Sequence, residues 1–118
     1  MTGNRTPNQI TGTAGEDLAA AYFKKLKYKI LQRNYRCKCG EVDLIVMKDD
    51  VIHFVEVKNR SKNLIPGRYA VTNYKQKHIR AVANHYLQER HLTYEHMVAF
   101  DVVEITAGEL EYFENCFY

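Results

Sequence analysis

The chain has 118 residues, of which 46% are hydrophobic and 26% charged, with a net charge of +3. That length fits one domain, residues 1–118, with a single core, and the composition is that of an ordinary soluble globule. No apolar run nears the ~20 residues of a membrane span, which excludes a membrane partner. The opening MTGNRTPNQITGTAG lacks the apolar core of a secretory signal. Three cysteines, an odd number, argue against a disulfide framework and for a cytoplasmic location.

Residues 1–11 are polar, contain Gly3 and Pro7, and read as a flexible tail. A first helix is predicted to start near Thr13, because Thr13-x-x-Glu16 fits a capping box in which Glu16 reaches back to the cap. Ala14, Leu18, Ala21, Tyr22 and Leu26 follow helical spacing, and Lys24, Lys25 and Lys27 complement the dipole at the far end. Tyr28 to Cys37 reads as a strand, and Cys37-Lys38-Cys39-Gly40 as a turn. A zinc site at Cys37 and Cys39 would need two more ligands, and only Cys116 and scattered histidines remain.

The most informative stretch follows, GEVDLIVMKDDVIHFVEVKNR from Gly40 to Arg60. It reads as two strands joined at Lys48-Asp49-Asp50. Period-two alternation places Glu41, Asp43, Ile45 and Met47 on one face of the first strand, and Ile52, Phe54, Glu56 and Lys58 on one face of the second. Carboxylates on the packed side of a sheet must be paired, ligated or protonated. Three carboxylates and an ammonium near one end of a hairpin suit a divalent cation, which takes hard oxygen ligands. A partly exposed salt-bridge cluster of Asp43, Glu56 and Lys58 is the plain structural alternative.

Residues 59–70, with Pro66-Gly67, form a loop directly after Lys58, and Arg60 and Arg68 are its candidates for touching a substrate backbone. A second helix is predicted over about Val71 to Arg90, with Val71, Tyr74, His78, Val82, His85 and Tyr86 as its stripe and His78 and His85 as core-edge histidines. Met97 to Ile105 is a strand apolar enough for burial on both faces. Ala107-Gly108 then turns the chain into a last short strand, Glu109 to Phe113.

Charge is distributed unevenly. Lys24 to Lys38 holds seven basic residues and no acidic one, Lys58 to Arg80 again seven and none, and six acidic residues follow Arg90. Tyr28, Tyr35, Tyr69, Asn73, Tyr74 and Gln76 are interleaved with these basic segments, a pattern suited to a phosphate backbone. A solvated helix face and loop is the bland alternative.

Asp43, an apolar hairpin and then Glu56-Val57-Lys58 resemble the D…(D/E)-x-K signature of restriction-endonuclease-like nucleases. More closely, the chain resembles the bacterial YraN (UPF0102) family of that fold. The matching pieces are Gly15-Glu16-Asp17-Leu18-Ala19, Arg33-Asn34-Tyr35-Arg36, Gly40 to Ile45, Phe54 to Arg60, Lys75-Gln76 and Phe100-Asp101-Val102-Val103. They run in order across nearly the whole chain. The resemblance implies an α/β sandwich of order α-β-β-β-α-β, a central mixed sheet flanked by helices, with the extra final strand. It also places a glutamate of the first helix beside the metal site, so Glu16 is either cap or site residue. Lys75 matches a lysine that binds phosphate or supports the site, and Gln76 resembles a glutamine near the active site of related nucleases. Ala99 stands where the family usually has arginine, and Asp101 is left as structural.

The expected function is metal-dependent hydrolysis of DNA phosphodiester bonds, in recombination or repair. Asp43 and Glu56 would hold Mg²⁺ or Mn²⁺, with the Val57 carbonyl as third ligand, and Lys58 would orient the attacking water or offset phosphate charge. Glu41 and Glu16 are further candidates for the catalytic group, and Lys75, Gln76, Arg60 and Arg68 for the nucleic-acid contact. Related junction-cutting nucleases pair as dimers, which extends the expectation to a homodimer. The alternatives are a nucleic-acid-binding module that keeps the fold without cutting, and a protein adaptor using the acidic C-terminal strand.

Overall fold

The computed structural model describes residues 7–60, 73–92 and 97–117. Helix α1 (Pro7–Lys25) leads into three antiparallel strands, β1 (Lys29–Cys37), β2 (Gly40–Lys48) and β3 (Val51–Arg60). Helix α2 (Asn73–Glu89) then carries the chain to β4 (Met97–Thr106), parallel to β3, and β5 (Glu109–Phe117) returns antiparallel to β4. The five strands form one mixed sheet in chain order. The expected α/β class and element order are therefore what the chain adopts.

The sheet divides the core in two. Ile79, Val82, Ala83, Tyr86 and Leu87 of α2 pack with Tyr35, Ile45, Ile52 and Phe54 on one face. Ala19, Ala20 and Phe23 of α1 pack with Leu44, Val46, Val55, Val103 and Ile105 on the other. Each helix thus buries one apolar stripe, which gives a helix–sheet–helix sandwich. The continuous apolar character of β4 reflects this double cover, with seven successive residues, Ala99 to Ile105, buried.

The turns explain the hairpin register. Asp49 and Asp50 both have positive φ, 53° and 64°, and Lys48 pairs with Val51 across them. That is a two-residue turn whose twist matches the strands. Ala107 and Gly108, at 52° and 81°, close β4 to β5 in the same way.

Helix ends differ from the sequence expectation at one point. The α1 backbone is helical from Pro7, so Thr13 lies inside the helix and the capping box does not form its start. Proline at a first helical position is itself a start signal, since its missing N–H needs no partner there. The part of the expected tail before Pro7 lies outside the described residues. At the other end, Lys27 takes φ of 72°, and the Tyr28 amide returns to the Phe23 carbonyl at 2.9 Å. This left-handed stop satisfies carbonyls that a helix end leaves open. Lys48 Nζ donates to the Leu26 carbonyl at 2.9 Å and adds to the cap.

Two further departures concern strands. The predicted alternation of β2 places Val42 with Leu44, yet Val42 packs on the α2 side with Ile45 while Leu44 and Val46 pack on the α1 side. The switch falls at Asp43. The β2–β3 ladder runs from Lys48–Val51 to Leu44–Val55, and beyond it the Val57 amide donates to Asp43 Oδ2 at 2.8 Å. A side chain thus takes the place of a ladder carbonyl there. The last strand is longer than expected, reaching Phe117, because β5 bulges between Phe113 and Phe117 and resumes pairing at Phe100. Asn115, φ of 55°, occupies the bulge and donates its amide to Asp101 Oδ1 at 3.0 Å.

Candidate active site at the end of the central hairpin

Asp43 is the centre of the site. It is half-buried where β2 leaves the ladder, and the Val57 amide is its hydrogen-bond donor. Burial pushes the carboxyl from its ordinary 3.8 up to about 6, against the pull of that amide. The carboxylates of Glu16, Glu56 and Glu41 push it further in the same direction. Those residues come from α1, β3 and β2, so three separate elements bring negative charge to Asp43.

Glu16 is brought in by a close helix approach. Gly15 is buried, and a Cβ there would stand 2.8 Å from Nδ2 and 2.9 Å from Oδ1 of Asn59 on β3. Only glycine lets α1 rest this near the strand without displacing that amide. The glutamate one residue later then lies within electrostatic reach of Asp43.

Glu56 is largely buried, with 17% of its side chain exposed, and Lys75 Nζ lies 2.7 Å from its Oε2. The lysine stands in the first turn of α2, so this ion pair ties that helix to the end of β3. Lys58 follows two residues later on the face of Glu56, half-buried, and pairs in register with Glu104 of β4, itself buried. Glu41 is exposed and bound to Arg36 at 2.9 Å across the β1–β2 hairpin. Gln76 is half-buried beside Lys75. Arg60 closes β3 opposite Thr106. The Arg60 side chain and the whole of Arg68, with the 61–72 segment, lie outside the described residues.

The arrangement joins Asp43, Glu56, Val57, Glu16 and Glu41 in one electrostatic neighbourhood, with Lys75 attached to Glu56. Its donors are hard oxygens, and its crowded carboxylates would be relieved by a cation. A divalent ion with mostly water and substrate ligands fits such a set. Among the described residues, no three His, Cys, Asp or Glu side chains stand close enough to enclose a metal by themselves. The cysteines are free thiols.

A second acid had only a weak sequence signal. Asp101 is fully buried in β4 and accepts from Tyr112 Oη and the Asn115 amide, and it pairs with His53 Nδ1 at 2.6 Å. The hint was a polar residue within each of two apolar runs, VIHFV and VAFDVV. On α2, His85 and Glu89 both meet the Tyr35 hydroxyl, at 2.7 and 3.0 Å, which accounts for His85 at the core edge. Among the described residues, no helix is long and apolar enough to cross a membrane.

A model of the "Uncharacterised protein family UPF0102" matches residues 15–105, from the close-approach glycine to the end of the buried β4 run. A UPF0102 protein of Clostridium perfringens is 41% identical over 99 residues, spanning 83% of this chain and 80% of the relative. One of Geobacter sulfurreducens is 39% identical over 116 residues, spanning 93% and 90%. One of Caldicellulosiruptor saccharolyticus is 45% identical over 96 residues, spanning 80% of each. With a match that covers the candidate site and most of the sheet, the chain belongs to the uncharacterised UPF0102 family.

Proposed function

We propose that the protein is a metal-dependent nuclease of the restriction-endonuclease-like, PD-(D/E)xK type, acting on DNA in the cytoplasm. The observation that carries this reading is the half-buried Asp43, hydrogen-bonded to Val57 and pressed by three other carboxylates. A fold bears such crowding at sites built to hold a cation or to move protons. Asp43 and Glu56 would hold Mg²⁺ or Mn²⁺, with the Val57 carbonyl completing the protein's share. At such a site the cation supplies polarisation of a phosphoryl oxygen and a lowered pKa for water.

The remaining steps belong to the chain's own side chains. Lys58, on the face of Glu56, orients the attacking water and offsets charge on the phosphate. Glu16 and Glu41 keep the local potential negative, which favours cation capture. Lys75 holds Glu56 in place and meets the phosphate backbone when substrate arrives. A second reading, a nucleic-acid-binding module that does not cut, is favoured by the same Lys75–Glu56 pair, in which an ammonium occupies the Glu56 oxygen that a cation would use.

The test is a cleavage assay on labelled single-stranded, duplex and branched DNA in Mg²⁺ or Mn²⁺, with Glu56→Ala and Lys58→Ala alongside. Cleavage by the wild type alone supports the nuclease. DNA retarded but left whole by all three proteins would transfer the assignment to the binding module.

A further inference from the structure

The first turns of α2 present an aromatic pair to solvent. The rings of Tyr74 and His78, one helical turn apart, have centroids 4.2 Å apart and planes at 54°. Tyr74 is 75% exposed. A tyrosine normally buries much of its large apolar body, so a ring left in water and supported from one side is available for a second planar partner.

The surroundings specify that partner. Lys38, Lys77, Cys39 and Ala81 join the aromatic pair around a groove of about 440 Å³. An adjoining hollow of about 500 Å³ is lined by Arg36, Cys37, Gly40, Glu41 and again Lys38, Cys39 and His78. Shared walls make the two one trough between α2 and the β1–β2 turn. It begins at Tyr74 and ends at Glu41, which belongs to the carboxylate group around Asp43. Its cations are Arg36, Lys38 and Lys77, and its acid, Glu41, is bound to Arg36 at 2.9 Å. His78 is oriented by its contact with the Cys39 carbonyl at 3.2 Å.

A positive trough with an exposed ring at one end matches an unpaired nucleotide chain. Bases stack on aromatic side chains whatever their sequence, and the backbone tracks the cations. A duplex offers no such fit, because its base faces are covered by their neighbours. We propose that Tyr74, backed by His78, is a stacking platform for an unpaired base of a single strand whose phosphates lie along Arg36, Lys38 and Lys77. The direction of the trough toward Asp43 rests on the nuclease reading; the binding itself does not.

DNA and RNA single strands share the chemistry involved, so both enter the test. Fluorescence anisotropy would follow labelled 12-nucleotide DNA and RNA strands and a 12-base-pair duplex in EDTA, with wild type, Tyr74→Ala and Tyr74→Phe. Tyr74→Ala is expected to weaken single-strand binding about tenfold, the effect of losing one base–aromatic stack. Tyr74→Phe is expected to stay within about twofold of wild type, and duplex affinity to be unchanged in both. The tighter of the DNA and RNA arms names the strand. Equal losses for strand and duplex, or a phenylalanine variant as weak as the alanine one, would overturn the platform.

The cleavage assay separates the two proposals. A wild type that cuts, with Tyr74→Ala binding strands normally, overturns the platform and keeps the nuclease. Loss of strand affinity in Tyr74→Ala without any cleavage by the wild type keeps the platform and overturns the nuclease. A wild type that neither binds nor cuts removes both.

Discussion

Asp43 and Asp101 are both acids of the central sheet, one on β2 and the other on β4, with β3 between them. Asp101 is enclosed and matched: Tyr112, Asn115 and His53 meet its two oxygens from β5 and β3. Asp43 receives one backbone amide and faces three further carboxylates. A satisfied buried acid fastens strands together, since each hydrogen bond to a charged group is worth about 1.5–3 kcal/mol. An acid held among like charges works against the fold and persists where something other than stability requires it. The contrast separates the residue that builds the bulge of β5 from the residue around which the site is arranged.

The largest expected effect lies on the Asp43 side. Asp43→Asn and Glu56→Gln keep shape and should reduce DNA cleavage about 10³-fold, read as initial rates in Mg²⁺, with circular dichroism unchanged. Asp101→Asn should do the reverse. It removes the charge that matches Tyr112, His53 and the Asn115 amide, at a cost of about 3 kcal/mol. Urea unfolding should show that loss, and the rate per folded molecule should stay near wild type. Cleavage that survives in Asp43→Asn, or a stable Asp101→Asn, would break the contrast.

A smaller effect has the opposite sign. A carboxyl whose folded pKa stands above its unfolded one binds its proton more tightly in the folded chain. Asp43 then contributes no penalty below about pH 4, and one that grows as pH rises from there to about 6 and is constant above it. The rise from 3.8 to about 6 corresponds to about 3 kcal/mol, and to about 2 kcal/mol once solvent around a half-buried group is allowed for. Asp43→Asn should therefore be more stable than wild type at pH 8 in EDTA, by about that amount, and equal to it at pH 4. Added Mg²⁺ should narrow the gap at pH 8 by stabilising only the wild type.

Much of this was legible in the sequence. Alternation gave the strands, Asp49-Asp50 the hairpin turn, and the polar pairs in β2 and β3 the nearness of Asp43 to Glu56. What failed had tertiary causes. Val42 packs with Ile45 on the α2 side, and the Asp43 side chain takes a backbone amide of β3; a period-two count contains neither. The polar Glu114-Asn115 reads as a strand end, yet Asp101 holds it as a bulge and pairing resumes. Thr13-x-x-Glu16 is a valid cap signal, but α1 starts at Pro7, six residues before Thr13. The Lys75–Glu56 contact joins residues nineteen positions apart through a helix docking that no local pattern encodes.

That contact supplies the finest test of the comparison. Lys75 neutralises Glu56, and Glu56 is one of the charges that raise Asp43. Lys75→Gln leaves the Glu56 charge less compensated, so Asp43 should ionise later, by about half a pH unit or under 1 kcal/mol. The readout is the pH at which the stability gap between wild type and Asp43→Asn levels off, about 6 in the wild-type background, measured again with Lys75→Gln in both backgrounds. An upward shift places Lys75 in the electrostatics of Asp43. No shift, with stability lost equally in both backgrounds, confines Lys75 to docking α2 against β3. A substitution at the far network, His53→Gln, should leave that levelling pH where it is, because His53 meets Asp101 and not Asp43.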